Sequence, residues 1–209
     1  MTTIFNVQTL TPAEIAGLAR ALDDGALAVF ATDTVYGMGT GAFCETAVQK
    51  IYTIKKRPAN QPLQILVADM EQAGRIAQFS LAATAVAKTY WPGGLTLIVP
   101  PTDSGKALLR GGKGLGIRIP ACEPLRQILA HMKGPLCSTS ANLHAQPVLT
   151  QEKDVLRTFD GRVDYILLGG TLSPTPSSVL DVTTQPARLL REGCVSKEDL
   201  TQVYGALII

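Results

Sequence analysis

The sequence predicts an α/β fold, on three observations. Residues 26–31 are a continuous apolar run of strand length, the pattern of a buried strand, and the mainly apolar 63–68 and 95–99 read as strands too. Between them lie stretches whose apolar residues recur at i, i+3 and i+4, the pattern of helices with one buried face. Hydrophobic residues make up 46% of 209 and charged residues only 17%, enough apolar surface for one core. That length suits one domain, or one with a small appendage, and residues 1–209 are taken as a single domain.

The elements follow in order. Thr11-Pro12-Ala13-Glu14 opens a helix, with Thr as N-cap, Pro at the first helical position and Glu closing a capping box; Gly25 ends it. After the strand at 26–31 comes Thr32-Asp33-Thr34-Val35-Tyr36-Gly37, a polar loop where α/β sheets place ligand sites. Gly37, Gly39 and Gly41 match a loose dinucleotide pattern, but five residues, 32–36, separate them from the strand, so they read as a tight turn.

Val48, Ile51 and Tyr52 mark a helix that Pro58 must stop near Arg57. Its end delivers Lys55, Lys56 and Arg57. By itself the triplet fits helix capping, worth about 0.3–1 kcal/mol. If the proline forces extended chain, Lys55 and Arg57 point the same way. Residues 63–68 are a strand, 70–79 and 81–90 helices, and 95–99 a third strand behind Trp91-Pro92-Gly93-Gly94.

A short helix is expected at 103–110. The glycine-rich 111–116 lacks the spacing of a phosphate-binding P-loop and reads as a connector. In Ile117-Arg118-Ile119-Pro120 alternation turns Arg118 away from its apolar neighbours. A helix at 122–132 precedes a short strand at 135–137 and Ser138-Thr139-Ser140-Ala141-Asn142. If extended, that run puts Ser138, Ser140 and Asn142 on one face. Thr150 reads as the N-cap of a helix through 159. A strand follows at 165–168, then a hairpin of 179–182 with 187–190 closed by Arg191, and a final helix capped by Ser196.

Composition narrows the function. Net charge is +2, too little for a broad nucleic-acid coat. Cys44, Cys122, Cys137 and Cys194 form no Cys-x-x-Cys pair, and with only His131 and His144 a zinc site lacks its usual spacing. Reduced thiols in a cytoplasmic protein are expected. No leader pattern is visible, and no apolar run reaches the roughly 20 residues of a membrane span. Neither a Ser/His/Asp or Cys/His set nor a flanking carboxylate pair is visible. Cations with neutral hydroxyls and amides suit chemistry ruled by positioning and charge neutralisation, of which phosphoryl or nucleotidyl transfer is one kind.

At these residues the sequence resembles the YrdC/YciO family. The resemblance is carried, in family order, by Thr32-Asp33-Thr34-Val35-Tyr36-Gly37, Ile51-Tyr52-x-x-Lys55-x-Arg57-Pro58, Trp91-Pro92-Gly93-Gly94-Leu95-Thr96, Ile117-Arg118-Ile119-Pro120, Ser138-Thr139-Ser140-Ala141-Asn142, Ser177-Ser178-Val179-Leu180-Asp181 and Leu190-Arg191-Glu192-Gly193. It implies a twisted mixed sheet with flanking helices around a concave, positively charged cavity. It implies a nucleotidyltransferase that joins L-threonine, bicarbonate and ATP, with Mg²⁺ carried by the ATP and no metal held by protein side chains. The product would pass to a threonylcarbamoyl-transferase complex that modifies tRNA beside the anticodon.

The residues carried over are Lys55, Arg57, Ser140 and Asn142 for catalysis. Lys55, Arg57, Gln61, Asn142, Thr150 and Arg191 would contact ATP, and Thr34, Arg118, Ser140 and Ser177 threonine. Three departures stand out: Leu143-His144-Ala145-Gln146 after Ser-Ala-Asn, Arg191-Glu192-Gly193, and Ser177-Ser178. The first bears on the nucleotide-side loop; His144 there is taken as an exposed loop histidine rather than a ligand contact. The resemblance leaves three alternatives open: a double-stranded RNA-binding protein, a carbamoyl-transfer relative, and a paralogue with little synthase activity. No membrane partner is expected.

Overall fold

The computed structural model describes residues 1–58, 61–143 and 146–209; His144 lies outside them. Its frame is an 11-stranded mixed sheet. In spatial order the strands are β1 (Thr3–Asn6), β8 (Tyr165–Leu168), β2 (Ala28–Phe30), β3 (Gly37–Gly41), β7 (Leu136–Ser140), β4 (Gln64–Leu66), β6 (Leu115–Arg118), β5 (Leu95–Val99), β9 (Ser178–Asp181), β10 (Ala187–Arg191) and β11 (Leu207–Ile208). The sheet mixes parallel and antiparallel pairs: β4 runs parallel to β6 and antiparallel to β7.

The helices among the described residues are α1 (Pro12–Asp23), α2 (Glu45–Lys55), α3 (Met70–Ile76), α4 (Leu81–Tyr90), α5 (Glu123–His131), α6 (Glu152–Phe159) and α7 (Lys197–Tyr204). Residue alternation along each strand divides the core in two. Ile65, Leu97, Ile117 and Leu180 point to one face and meet Val48, Ile51, Ala73, Val86 and Val155 of the covering helices. Ala28, Phe30, Leu66, Leu136 and Leu167 point to the other, where α1 and α5 pack together through Leu18, Leu22, Leu125 and Ile128.

The capping box at Thr11 and Glu14 forms, as does the Ser196 cap. Strands β5 and β8 have the expected bounds, and β9 and β10 make the expected antiparallel pair. Four expectations are corrected. Gly37, Gly39 and Gly41 lie in a buried strand, not a turn. A β-carbon on Gly37 would meet the Phe30 ring at 2.7 Å, and one on Gly39 the Cys137 carbonyl at 2.5 Å; strand packing, not chain reversal, demands glycine there. Helix α2 ends at Lys55, because Lys56 is left-handed at φ 53°. The cap of α6 is Gln151 rather than Thr150, whose carbonyl is taken by Leu172 N–H. At 103–110 only a 3-10 turn forms, Gly105–Leu108. The short edge strands β1 and β11 escaped the sequence reading, being too short and too exposed to carry an apolar run.

Candidate functional site

The second face of the sheet is covered by α1 and α5 over only part of its width. Beyond them lies a cavity of about 340 Å³. Its floor is built from alternate residues of adjacent strands: Ser138 and Ser140 of β7, Gln64 of β4, Gly116 and Arg118 of β6, Thr96 and Ile98 of β5, and Val179 of β9. Register makes this a continuous surface, since Gln64 pairs with Ser138, and Ile98 with Gly116. Loops supply Thr34, Arg57 and Ser177, and the end of β10 supplies Arg191. Three guanidinium groups thus line the cavity, and no carboxylate is found among its described lining residues. A recess of about 30 Å³ continues from it toward Phe30.

Of the residues singled out in the sequence, Thr34, Arg57, Arg118, Ser140, Ser177 and Arg191 line this cavity. Lys55, Gln61, Asn142 and Thr150 do not. Lys55 is 2% exposed and lies beneath the floor. Its ammonium donates to the carbonyl of Ser140, to the carbonyl of Asn142 at 2.6 Å and to Asn142 Oδ1 at 3.0 Å. Burial, with Arg57 nearby, pulls its pKa down to about 8.

Left-handed Lys56, not extended chain, separates the two cations. Lys55 turns under the Ser140–Asn142 turn, whereas Arg57 donates to the Pro62 carbonyl at 3.0 Å, and its buried Nε has no partner among the described residues. Burial likewise lowers the pKa values of Arg57 and Arg191. Asn142 does not share the face of Ser138 and Ser140. The strand ends at Ser140, and Asn142 folds back so that its Oδ1 accepts from Ser140 Oγ at 2.6 Å.

Arg191 reaches the cavity through a β-bulge. Leu189 pairs with Leu180 but Arg191 with Val179, so Leu190 is an extra residue. Without it Arg191 would fall opposite Ser178, on the other face. Its Nε donates to the Ser177 carbonyl at 2.8 Å and an Nη to Ser177 Oγ at 3.1 Å.

Hydrogen-bond bookkeeping divides the site's hydroxyls into acceptors and donors. Thr32 donates its proton to the Val35 carbonyl at 2.7 Å, so across the 3.1 Å contact with Thr34 the proton belongs to Thr34. Thr34 also accepts from Arg118 at 2.9 Å and has only acceptor capacity left for a ligand. Thr96 and Ser177 lie 3.0 Å apart, with Thr96 accepting from Gln64 and Ser177 from Arg191. Whichever donates to the other, one proton of that pair remains for a ligand acceptor. Gln64 and Thr96 were not singled out in the sequence. Each is a short polar residue among apolar strand neighbours, and that interruption was the available signal.

All four cysteines are free, and burial pushes the Cys137 thiol up to about 12, far from a reactive thiolate. A second cavity of about 290 Å³, beside Asp23, Phe43 and Lys133, contains none of the residues above. Among the described residues no helix is long and apolar enough to cross a membrane.

Comparison with known proteins places the chain in a family. Residues 20–193 match the Sua5/YciO/YrdC family model, described as "Telomere recombination". The chain is 35% identical over 213 residues to the threonylcarbamoyl-AMP synthase of Pyrococcus abyssi, covering all of this chain and 63% of that protein. It is 35% identical over 199 residues to the enzyme of the same name from Bacillus subtilis, covering 93% of this chain and 57% of that one. The chain therefore spans about three-fifths of the length of these relatives. The crystal structure of P. abyssi Sua5 complexed with L-threonine superposes with a TM-score of 0.92 at 33% identity, over 99% of this chain and 62% of that one. Escherichia coli YciO shares the fold, with a TM-score of 0.86 at 22% identity over 96% of this chain and all of that one.

Proposed function

We propose that this chain, which belongs to the Sua5/YciO/YrdC family, joins L-threonine, bicarbonate and ATP into L-threonylcarbamoyl-AMP and releases pyrophosphate. One observation carries the reading: three guanidinium groups and a floor of neutral hydroxyls converge on a cavity with no described carboxylate in its lining. Such a site favours a ligand with several negative charges and leaves bond-making to positioning and charge neutralisation.

The roles follow from the charges and hydroxyls of the lining. Arg118 takes the threonine carboxylate, where a guanidinium fits bidentately. Thr34, left with acceptor capacity, takes a donor on the amino acid. Ser177 and Ser140 complete that subsite. Arg57 and Arg191 take phosphate oxygens. Bicarbonate takes up a proton and splits into carbon dioxide and water; threonine's amine attacks the carbon dioxide and loses a proton, forming a carbamate. A carbamate oxygen then attacks the α-phosphorus, the bond to the β-phosphate oxygen breaks, and pyrophosphate leaves. Mg²⁺ carried by the triphosphate would neutralise part of its charge, with Arg57 and Arg191 neutralising the rest.

Lys55 is reassigned from phosphate contact to positioning, since its ammonium already holds the Ser140–Asn142 turn through three oxygens. Asn142 acts within that turn. Gln61 and Thr150 lie outside the lining and take no part in this reading. A tRNA-modifying transferase complex in the cytoplasm is the proposed consumer of the product. The test is incubation of the chain with ATP, L-threonine and bicarbonate. Pyrophosphate is expected only when all three are present; release without threonine refutes the reading.

A further inference from the structure

We infer that Asp33 is a positioning residue that aims Arg118 at the amino-acid carboxylate; the inference rests on the reading of that subsite given above. Arg118 is 3% exposed, so its guanidinium has almost no water to bind. It is held instead by acceptors from two separate loops. Nε donates to the Gly93 carbonyl at 2.9 Å, one Nη to Thr34 Oγ1 at 2.9 Å and the other Nη to Asp33 Oδ1 at 2.6 Å.

A guanidinium has five N–H groups. These three contacts leave two, one on each terminal nitrogen, which is the number a carboxylate accepts side by side. Asp33 is the only charged partner of the three and makes the shortest of the bonds. Its side chain is 17% exposed and is not part of the cavity lining, so it acts from behind the guanidinium. Thr34 and Gly93 alone would leave a buried cation with two neutral acceptors and no counter-charge, a costly arrangement.

Two consequences of Asp33 oppose each other. Its charge cancels part of the attraction Arg118 exerts on a substrate carboxylate. Its hydrogen bond fixes the plane in which the two remaining N–H groups point. A paired contact tolerates errors of only about 0.5 Å and 10–20°. The aiming effect therefore outweighs the lost attraction, and removing Asp33 weakens amino-acid binding.

The experiment is steady-state pyrophosphate release by wild type, Asp33→Asn and Asp33→Ala, with separate KM values for L-threonine and ATP. It is paired with calorimetric titration of L-threonine. In Asp33→Ala the threonine KM is expected to rise roughly tenfold or more, with the ATP KM unchanged. Asp33→Asn keeps an acceptor oxygen at the same place and should fall between. A threonine KM that is unchanged or lower in Asp33→Asn overturns the inference, as does an equal rise in both KM values. If Asp33→Ala fails to fold, Asp33→Asn decides alone. A wild-type chain that releases no pyrophosphate defeats the parent reading instead, and the titration still reports whether Asp33 governs threonine affinity.

Discussion

Within one face of the sheet, two neighbouring regions have opposite fates. One carries Ala28, Phe30, Leu66, Leu136 and Leu167 and is covered by α1 and α5. The other carries Gln64, Thr96, Gly116, Arg118, Ser138 and Ser140 and opens into the cavity, whose described lining comes from strands and loops rather than helices. The boundary cuts across single strands. On β4, Gln64 is in the open region and Leu66 in the covered one; on β7, Ser138 is open and Leu136 covered. Two residues along a strand are about 6.6 Å, so side-chain identity changes the use of the face within one pleat. Long apolar side chains recruit a helix because burial lowers free energy by about 25 cal/mol per Å². Short polar side chains bury little apolar area and keep hydrogen-bonding groups that a helix would strand.

The sharpest way to break this contrast is to empty the covered region. Leu136→Ala should lower stability by about 2–5 kcal/mol, measured by denaturant or thermal unfolding. Both KM values of the folded fraction should stay at wild type. Next in size is removal of the buried cation from the open region. Arg118→Leu should cut kcat/KM for threonine about a hundredfold, or about 2.7 kcal/mol, through the loss of charged hydrogen bonds.

A third test separates grip from stability. Lys55 holds the Ser140–Asn142 turn in its charged form, with a pKa of about 8 against an ordinary 10.5. That grip is complete below pH about 8 and fades above it. Its folded pKa lies below the unfolded value, so between about 8 and 10.5 the unfolded chain binds more protons. This group's contribution to stability therefore rises with pH across the window in which its grip is lost. Pyrophosphate release should fall roughly tenfold for each pH unit above about 8 without a matching drop in melting temperature. Lys55→Arg should flatten the profile, because arginine stays charged.

The smallest effect belongs to Gly116. A β-carbon there would lie 3.5 Å from Thr96 Cγ2 and 3.9 Å from Ile98 Cγ1, ordinary contact distances. Gly116→Ala should raise stability by about 0.5–1 kcal/mol or leave it unchanged. It should also weaken ligand binding by filling floor space, read by calorimetric titration of nucleotide and of threonine.

Much of the fold was legible where local chemistry suffices. The apolar runs became β2, β4, β5 and β8, and the Thr11 and Ser196 caps formed because each needs only residues three positions away. The glycines of β3 were misread, since their reason is Phe30 and the Cys137 carbonyl, neighbours brought in by strand pairing. For the candidate site, Arg57, Arg118, Ser140, Ser177 and Arg191 were named from the sequence and meet at one cavity. Gln64 and Thr96 were passed over because each looks like an ordinary strand residue until its neighbours across the sheet are known.

The sequence by itself determined the elements and the supply of chemistry: strands from apolar runs, helix starts from capping side chains, and cations and hydroxyls just beyond strand ends. Those depend on contacts within a few residues. Only the tertiary structure decided which of those groups face the hollow. A left-handed Lys56 sends Lys55 beneath the floor, an extra residue at Leu190 swings Arg191 onto the cavity side, and Asp33 meets Arg118 from 85 residues away. Side-chain direction follows strand register and helix ends, and both are fixed by the packing of distant segments rather than by local propensity.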